Sequence, residues 1–385
     1  QNSELTLLEV SGNEDLSNLN IKNGNNQILT NVTIINNANL TCVTVDDVAF
    51  AIENFTSIDA QTNFSLNCNE GIVSIPDANL KAALLANTLI NTNEDTEIQI
   101  SEAEQFNEAL IGEELNIADL TGIEAFVNIT GLNFRGNDLT TIDLSKNTKL
   151  TWVDLDSNNL SQVDFSKNLE INFIDISLNE LNSLDISLLV NLESLYAGDN
   201  KITSIDVSNN INLKNLWLNI NELTSIDIAS NINLENLQLD WNFNLSAIDF
   251  SNNLELNRIH VWRTSLTTID VSMLSKLQRL YVSDTQITTL DISNNPKLYD
   301  IRLGETNITS LDVSKNVLLE RIDVFKTKIT SLNISKNTKL TTLLMNENEF
   351  TGIDVSKNPL LVELIANDNN IVNIDIQRNA NLENL

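Results

Sequence analysis

The stretch "ITSIDVSNN" (202–210) returns twenty-one residues later as "LTSIDIASN" (223–231), and stands twenty-one residues earlier as "LNSLDISLL" (181–189). Its aspartate, set between two aliphatics, recurs at Asp143, Asp164, Asp185, Asp206, Asp227, Asp249, Asp270, Asp291, Asp312, Asp354 and Asp375, with Asn333 in the remaining place. The interval is 21 throughout, except for 22 between Asp227 and Asp249. A fixed period of this length marks a coil of stacked units, each too small to bury its own aliphatics.

Each period has two halves. In 192–212 the first half reads LxxLxAxxNxI (Leu192, Leu195, Ala197, Asn200, Ile202) and the second IxxIxVxxN (Ile202, Ile205, Val207, Asn210). Alternation at L-x-L sets the aliphatics on one side of a short strand and the x residues on the other. The asparagine closing each half suits a turn, where its amide pairs with backbone groups that a bend leaves free. Stacked turns then give an asparagine ladder. Twelve turns at roughly 4.8 Å give a face of about 55 Å.

These units resemble the leucine-rich repeats of bacterial secreted and surface proteins, in the 21-residue class whose two halves both read LxxLxLxxN. The resemblance covers about residues 115–385, and "LTGIEAFVNITGLNFRGNDL" (120–139) looks like an internalin-type unit leading into the array. The LTSLDVSxN style is similar to that of flavobacterial (Bacteroidota) members. The resemblance implies a β-rich solenoid, a right-handed superhelix with a parallel sheet lining one face. It also implies a secreted or cell-surface, outer-membrane-displayed binding protein.

The second half is nearly constant, pointing Thr203, Ser204, Asp206 and Ser208 outward. Stacked carboxylates at about 4.8 Å repel by roughly 1 kcal/mol in water. Serine and threonine hydroxyls and backbone N–H groups are expected to hold them, with Lys146, Lys167, Lys315, Lys336 and Lys357 relieving charge. A Ca²⁺ ladder between turns and an ice-binding surface are the less favoured readings.

The first half varies. It carries all four tryptophans (Trp152, Trp217, Trp241, Trp262), all three tyrosines (Tyr196, Tyr281, Tyr299), the one histidine, His260, and six of the seven arginines (Arg135, Arg258, Arg263, Arg279, Arg302, Arg321). The repeat places Tyr196, Trp217, Gln238, His260, Tyr281 and Arg302 at the central outward position of six successive turns. Trp, Tyr and Arg dominate binding hot spots, and on a solvated sheet they need a cover. Either the rings cover each other as ladders, or a ligand does. The candidate ligand-binding residues are Tyr196, Trp217, Trp241, Arg258, His260, Trp262, Arg263, Arg279, Tyr281 and Arg302. The irregular interval, at "DWNFN" (240–244), is expected to bulge the chain beside Trp241.

The first 115 residues differ. Residues 1–70 read as worn repeats ("LSNLNIKNGN", "LTNVTIINNANL") with a Cys42–Cys68 disulfide, the two cysteines standing 26 apart in a chain that looks exported. Residues 71–115 read as a small helical cap. Pro76 opens one helix near 77–87 and Ser101 caps another over 101–110. The loop between them, "NTNEDTEIQISE" (91–102), resembles an EF-hand loop, with Asn91, Asn93, Asp95, Glu97 and Glu102 as Ca²⁺ ligands. Thr96 stands where the glycine of such loops would be, and Asn91 replaces an aspartate. The array, 116–385, ends at "NANLENL" in mid-repeat, so more repeats or an anchoring domain are expected beyond it.

Bulk properties narrow the function. The chain has 385 residues, 10 Gly, 3 Pro and a net charge of −31, which opposes phosphate backbones and anionic lipid. No stretch is long and apolar enough to span a membrane. The opening "QNSELTLLEV" lacks Met and reads as a processed or trimmed end. No nucleophile–base pair, histidine–cysteine metal cluster or phosphate loop is apparent. The expected function is non-catalytic extracellular recognition or adhesion by a monomer, with a protein partner on the aromatic–arginine face. Carbohydrate binding there, through stacking on Trp217, Tyr196, Trp262 and Tyr281 with arginines for anionic groups, and a spacer role are the alternatives.

Overall fold

A computed structural model describes residues 2–68 and 71–385. The array folds as the period demands. Thirteen three-residue strands, β7 (Ala109–Ile111) to β19 (Glu363–Ile365), form one parallel sheet in strict sequence order. Neighbouring strands pair in register at the 21-residue step, Leu195 opposite Leu216 and Tyr196 opposite Trp217. The sheet begins at Ala109, inside the segment assigned to the cap.

The strands that matter below are β9 (Trp152–Asp154), β10 (Phe173–Asp175), β11 (Ser194–Tyr196), β12 (Asn215–Trp217), β13 (Asn236–Gln238), β14 (Arg258–His260), β15 (Arg279–Tyr281), β16 (Asp300–Arg302) and β17 (Arg321–Asp323). The middle residue of each is fully buried (Val153, Ile174, Leu195, Leu216, Leu237, Ile259, Leu280, Ile301, Ile322) and joins one core running from Val73 to Leu364. The residues on either side of it point outward. The second half of each period forms consecutive turns and adds Ile186, Val207, Ile228 and their equivalents to that core.

Asparagine ladders stitch the turns together. Asn200 donates its amide to Ile176 O at 3.0 Å and accepts from Leu181 N–H at 3.0 Å, both in the preceding turn. In the second half, Asn210 donates to Ile186 O and Leu189 O at 3.0 and 2.8 Å. The recurring aspartate has a local role. Its Oδ1 accepts the backbone N–H two residues on, as from Ser145 to Asp143 (2.8 Å), Ser208 to Asp206 (2.9 Å) and Ser293 to Asp291 (2.9 Å). Asn333 does the same with its amide oxygen, from Ser335 N–H at 3.1 Å. These bonds, with those to the serine hydroxyls, hold Asp143, Asp206 and Asp291 below the usual carboxylate range. The carboxylates are held by backbone and hydroxyl donors, as the plainer reading expected.

Before the array, β1 (Leu7–Ser11), β3 (Asn31–Ile35) and β5 (Ser57–Ile58) form one parallel sheet, and β2 (Leu19–Asn20), β4 (Cys42–Thr44) and β6 (Asn63–Ser65) another. They enclose a separate core around Ile34, Leu40, Val43 and Phe64. A helix the sequence did not announce, α1 (Val48–Asn54), is capped by Asp47, which accepts Phe50 N–H at 2.9 Å. Cys42 and Cys68 are joined, with Cα atoms 5.6 Å apart. Asn69 and Glu70, the last two residues of the segment assigned to worn repeats, lie outside the described residues.

The cap contains α2 (Ala78–Ala86) and α3 (Ile100–Gln105). Asp77, just after Pro76, caps α2 through Asn79 and Leu80 N–H. The second helix starts two residues earlier than a Ser101 cap implies. Gln99 is its cap residue, Glu102 accepts Gln99 N–H at 3.0 Å, and Ser101 lies inside the helix. It ends at Gln105, because the aliphatics that follow are claimed by β7.

Candidate functional site

Each strand presents two outward positions and the residue two beyond its end a third, and the 21-residue register stacks them into columns across the sheet. The central column holds Tyr196, Trp217, Gln238, His260, Tyr281, Arg302 and Asp323. The column before it holds Ser194, Asn215, Asn236, Arg258, Arg279, Asp300 and Arg321. Trp262 follows β14 in the third column. Trp241 and Arg263 lie one residue further, where the chain turns off the sheet. That turn needs a left-handed residue in every period: Trp241 has φ 60°, Arg263 54°, Asp284 51° and Glu305 59°. Gly136, at φ 66°, holds this place in an earlier turn, but these four are not glycine, so each carries a side chain at a backbone angle that costs about 1 kcal/mol or more.

The rings cover one another. Tyr196 packs on Phe173 and Trp217 at 5.4 and 4.5 Å between centroids. Trp241 packs edge-on against Trp262 at 5.4 Å and Phe243 at 5.8 Å. His260 stacks on Tyr281 at 4.1 Å with 15° between planes, and the Arg302 guanidinium lies 4.1 Å from the same Tyr281 ring. Because β15 lies between β14 and β16, Tyr281 is sandwiched. Arg263 lies 3.9 Å from the Trp241 ring and pairs with Asp284 at 3.2 Å. Arg302 pairs with Asp300 at 3.1 Å, Tyr281 Oη donates to Asp300 at 2.5 Å, and Arg279 donates to Tyr299 Oη. Cross-strand ladder packing is therefore realised, and it fixes the side chains against one another.

The columns enclose a cleft of about 450 Å³ lined by His260, Trp262, Arg263, Tyr281, Ser283, Asp284, Arg302, Glu305, Asp323 and Phe325. Five of these are among the ten residues singled out in the sequence. Tyr196, Trp217, Trp241, Arg258 and Arg279 lie on the same face without lining the cleft. Gly304 completes it, since a Cβ there would lie 2.1 Å from Phe325 Cδ1. Glycine thus lets the Phe325 ring lie flat on its neighbouring turn.

Burial, reinforced by Arg258, Arg302 and Arg279, pushes His260 down to about 4, so the imidazole is neutral at neutral pH. Its Nε2 has no hydrogen-bond partner among the described residues. Tyr281 is pushed up to about 12 by burial and by its bond to Asp300. Burial raises Asp323, whose carboxylate accepts one hydrogen bond among the described residues, from Phe325 N–H at 3.2 Å. Asp240, beside Trp241, is raised to about 6, with Oδ1 buried and unpartnered.

The irregular interval does not produce a β-bulge. Strand β13 pairs with β12 and β14 without interruption. The extra residue falls after Asn242, where Phe243 stands 59% exposed with its ring against Trp241. Directly beyond it the first-half asparagine ladder lapses. Thr264, Thr285, Thr306 and Thr327 replace asparagine in four successive turns, and their hydroxyls reach the carbonyl three residues back (2.7, 2.7, 2.7 and 3.1 Å) instead of the preceding turn. The cleft lies on these turns.

In the 91–102 loop the carboxylates of Asp95, Glu97 and Glu102 are engaged, while Asn91 Oδ1 is buried without a hydrogen-bond partner among the described residues. Glu102 accepts Thr92 N–H, Thr92 Oγ1–H, Asn93 N–H and Gln99 N–H at 2.8, 3.0, 3.2 and 3.0 Å. Asp95 accepts from Glu97 N–H, Asn93 Nδ2 and Gln99 Nε2. Glu97 pairs with Lys81 at 2.7 Å, and Asn91 Nδ2 donates to Leu85 O and Asp95 O. In this arrangement a cation would have to displace the loop's own donors. Among the described residues no group of three or more His, Cys, Asp or Glu is placed to hold a metal.

No protein-family model and no curated protein matches the sequence. Solved structures do. The functional domain of InlJ from Listeria monocytogenes is similar with a TM-score of 0.70 and 28% identity, covering 80% of this chain and 73% of that one. The internalin InlF of the same organism gives 0.71 and 21%, covering 80% and 95%. A leucine-rich repeat protein of Leptospira interrogans gives 0.66 and 20%, covering 97% and 96%.

The fold is a leucine-rich repeat solenoid. Within it, sequence reasoning missed Asp300, Asp323 and Phe325, which continue the columns of Arg279, Arg302 and Trp262 at the same period. It also missed the asparagine-to-threonine change, which is visible at 264, 285, 306 and 327 once the ladder position is tracked. No helix among the described residues is long and apolar enough to cross a membrane.

Proposed function

We propose that this chain is a non-catalytic, extracellular recognition module that binds a protein partner through the sheet face of β11–β17, centred on the cleft between Trp262 and Phe325. The observation that carries this reading is the mutual packing of half-buried Trp, Tyr, His and Arg side chains over successive strands around an open cleft. Prepacked aromatics with arginine are hot-spot material, and little side-chain entropy remains to be lost on binding. A sugar platform calls for exposed coplanar rings. Here the aromatic pairs meet at 58–79°, and in the one parallel pair Tyr281 lies between His260 and Arg302. The Cys42–Cys68 disulfide supports an oxidising, extracellular setting. This reading does not call on Ca²⁺: Glu102 and Asp95 accept the loop's own donors and Glu97 pairs with Lys81.

The test is to present the wild-type chain to an array of purified extracellular protein domains and to a mixed glycan array. Retention of a defined protein domain, lost in Trp262→Ala/Tyr281→Ala, supports the reading. Retention of a glycan, lost in the same variant, replaces it with the carbohydrate alternative.

A further inference from the structure

The sheet face changes its charge along the coil. On β9, β10 and the flanking β8 (Gly131–Asn133), the outward positions carry Asp154, Asp156 and Asp175 against one arginine, Arg135, which is already paired with Asp156 at 3.1 Å. On β11–β13 they are Ser194, Tyr196, Asn215, Trp217, Asn236 and Gln238, with Asp240 following. On β14–β17 they carry four arginines, Arg258, Arg279, Arg302 and Arg321, against two carboxylates, Asp300 and Asp323.

At the arginine end the charges are only partly neutralised. Arg302 is paired with Asp300, but among the described residues Arg258, Arg279 and Arg321 form no ion pair. Arg258 and Arg279 are register partners on adjacent strands, so two like charges stand side by side, an unfavourable arrangement without an anion between them. The Nε groups of Arg258 and Arg321 are buried and unpartnered. At the other end Asp154 and Asp175 are also register partners. Titration follows the same polarity. Burial first, then the neighbouring carboxylates, raises Asp154 and Asp175, while burial and then three arginines lower His260. A local excess of arginine on a chain of net charge −31 is selective placement rather than bulk composition.

We propose that the docking segment of the partner is a protein segment with its charges segregated: basic where it meets β9–β10, uncharged and aromatic-compatible over β11–β13, and acidic where it meets β14–β17. This deepens the protein-recognition reading above and rests on it. From β10 to β14 is four strand steps, roughly 19 Å, which about six extended residues span. A uniformly sulfated polysaccharide would meet Asp154 and Asp175 with like charge. A uniformly basic peptide would meet Arg258 and Arg279. Only a segregated partner complements both ends.

Two fluorescein-labelled peptides of identical composition and zero net charge test this. One has a lysine block, a Ser/Gly/Tyr spacer of about six residues and a glutamate block, the spacer being set by the strand spacing. The other alternates Lys and Glu around the same spacer. In low-salt fluorescence anisotropy the segregated peptide should bind the whole chain about tenfold more tightly, and high salt should erase the difference. Arg258→Gln/Arg279→Gln and, separately, Asp154→Asn/Asp175→Asn should each remove most of the preference, circular dichroism confirming the fold. Equal affinities, no binding of either peptide, or a preference indifferent to both variants would overturn the proposal. If the charge variants are neutral while Trp262→Ala/Tyr281→Ala still releases a captured protein domain, the polarity is wrong and the face is right.

Discussion

Arg302 lies 4.1 Å from the ring of Tyr281, whose opposite side is taken by His260 at the same distance, so three successive strands share one stack through a single tyrosine. The Tyr281 hydroxyl also holds Asp300, the carboxylate that pairs with Arg302. Tyr281→Ala should therefore lower stability by about 2–3 kcal/mol and loosen both neighbours. Tyr281→Phe keeps the ring and should lose about 1 kcal/mol. Urea unfolding separates the two. Equal losses would show that the ring itself contributes little.

Asp240 sets a pH dependence. Its carboxyl is raised to about 6 in the fold from an ordinary 3.8. The folded state therefore binds the proton more tightly than the unfolded chain, and stability from this group grows as pH falls from about 7 towards 4. Asp240→Asn should be more stable than wild type at pH 7.5 by about 1–2 kcal/mol, and nearly equal to it near pH 4. Denaturation midpoints at both pH values check this. A constant difference would assign the effect to packing instead.

The two hydrophobic cores predict two transitions. Cys42 and Cys68 close a loop of 26 residues within the N-terminal core. Reduction should destabilise that block by about 3–4 kcal/mol in the chain-entropy picture, and leave the array unchanged. Calorimetry with and without reductant should shift one transition only.

Glu102 joins the 91–102 loop to the start of α3 through four hydrogen bonds. Glu102→Ala should cost the cap about 2–4 kcal/mol by leaving Thr92, Asn93 and Gln99 N–H groups without their acceptor. Chelator should not change the melting temperature, and added Ca²⁺ should not raise it. A rise with Ca²⁺ that Glu102→Ala abolishes would support the EF-hand reading instead.

The coil was legible because its period is carried by residues that must be buried. Leu195, Ile202 and Val207 are fully buried and their equivalents stay apolar, and with Asn200 their spacing gives strand, turn and ladder together. The central column from Tyr196 to Arg302 followed from the same register. What stayed hidden depends on contacts between turns. That His260, Tyr281 and Arg302 stack, that Arg263 is tied to Asp284, and that Glu102 is engaged by backbone donors are facts of side-chain direction, on which spacing is silent. The misplaced bulge has the same origin. An added residue can be absorbed in the turn after Asn242 at less cost than in a strand paired on both sides, and the one-dimensional pattern does not distinguish the two.

The division of labour between the two halves of the repeat is the central claim, and one comparison tests it most directly. A protein domain captured by the wild-type chain is offered to Trp262→Ala/Tyr281→Ala, on the sheet face, and to Thr267→Ala/Thr268→Ala, on the exposed constant half of the same turn. Loss of at least tenfold in affinity in the first variant, with the second unchanged, is the predicted result. Loss in the second with the first unchanged would contradict it and move the site to the threonine-rich flank.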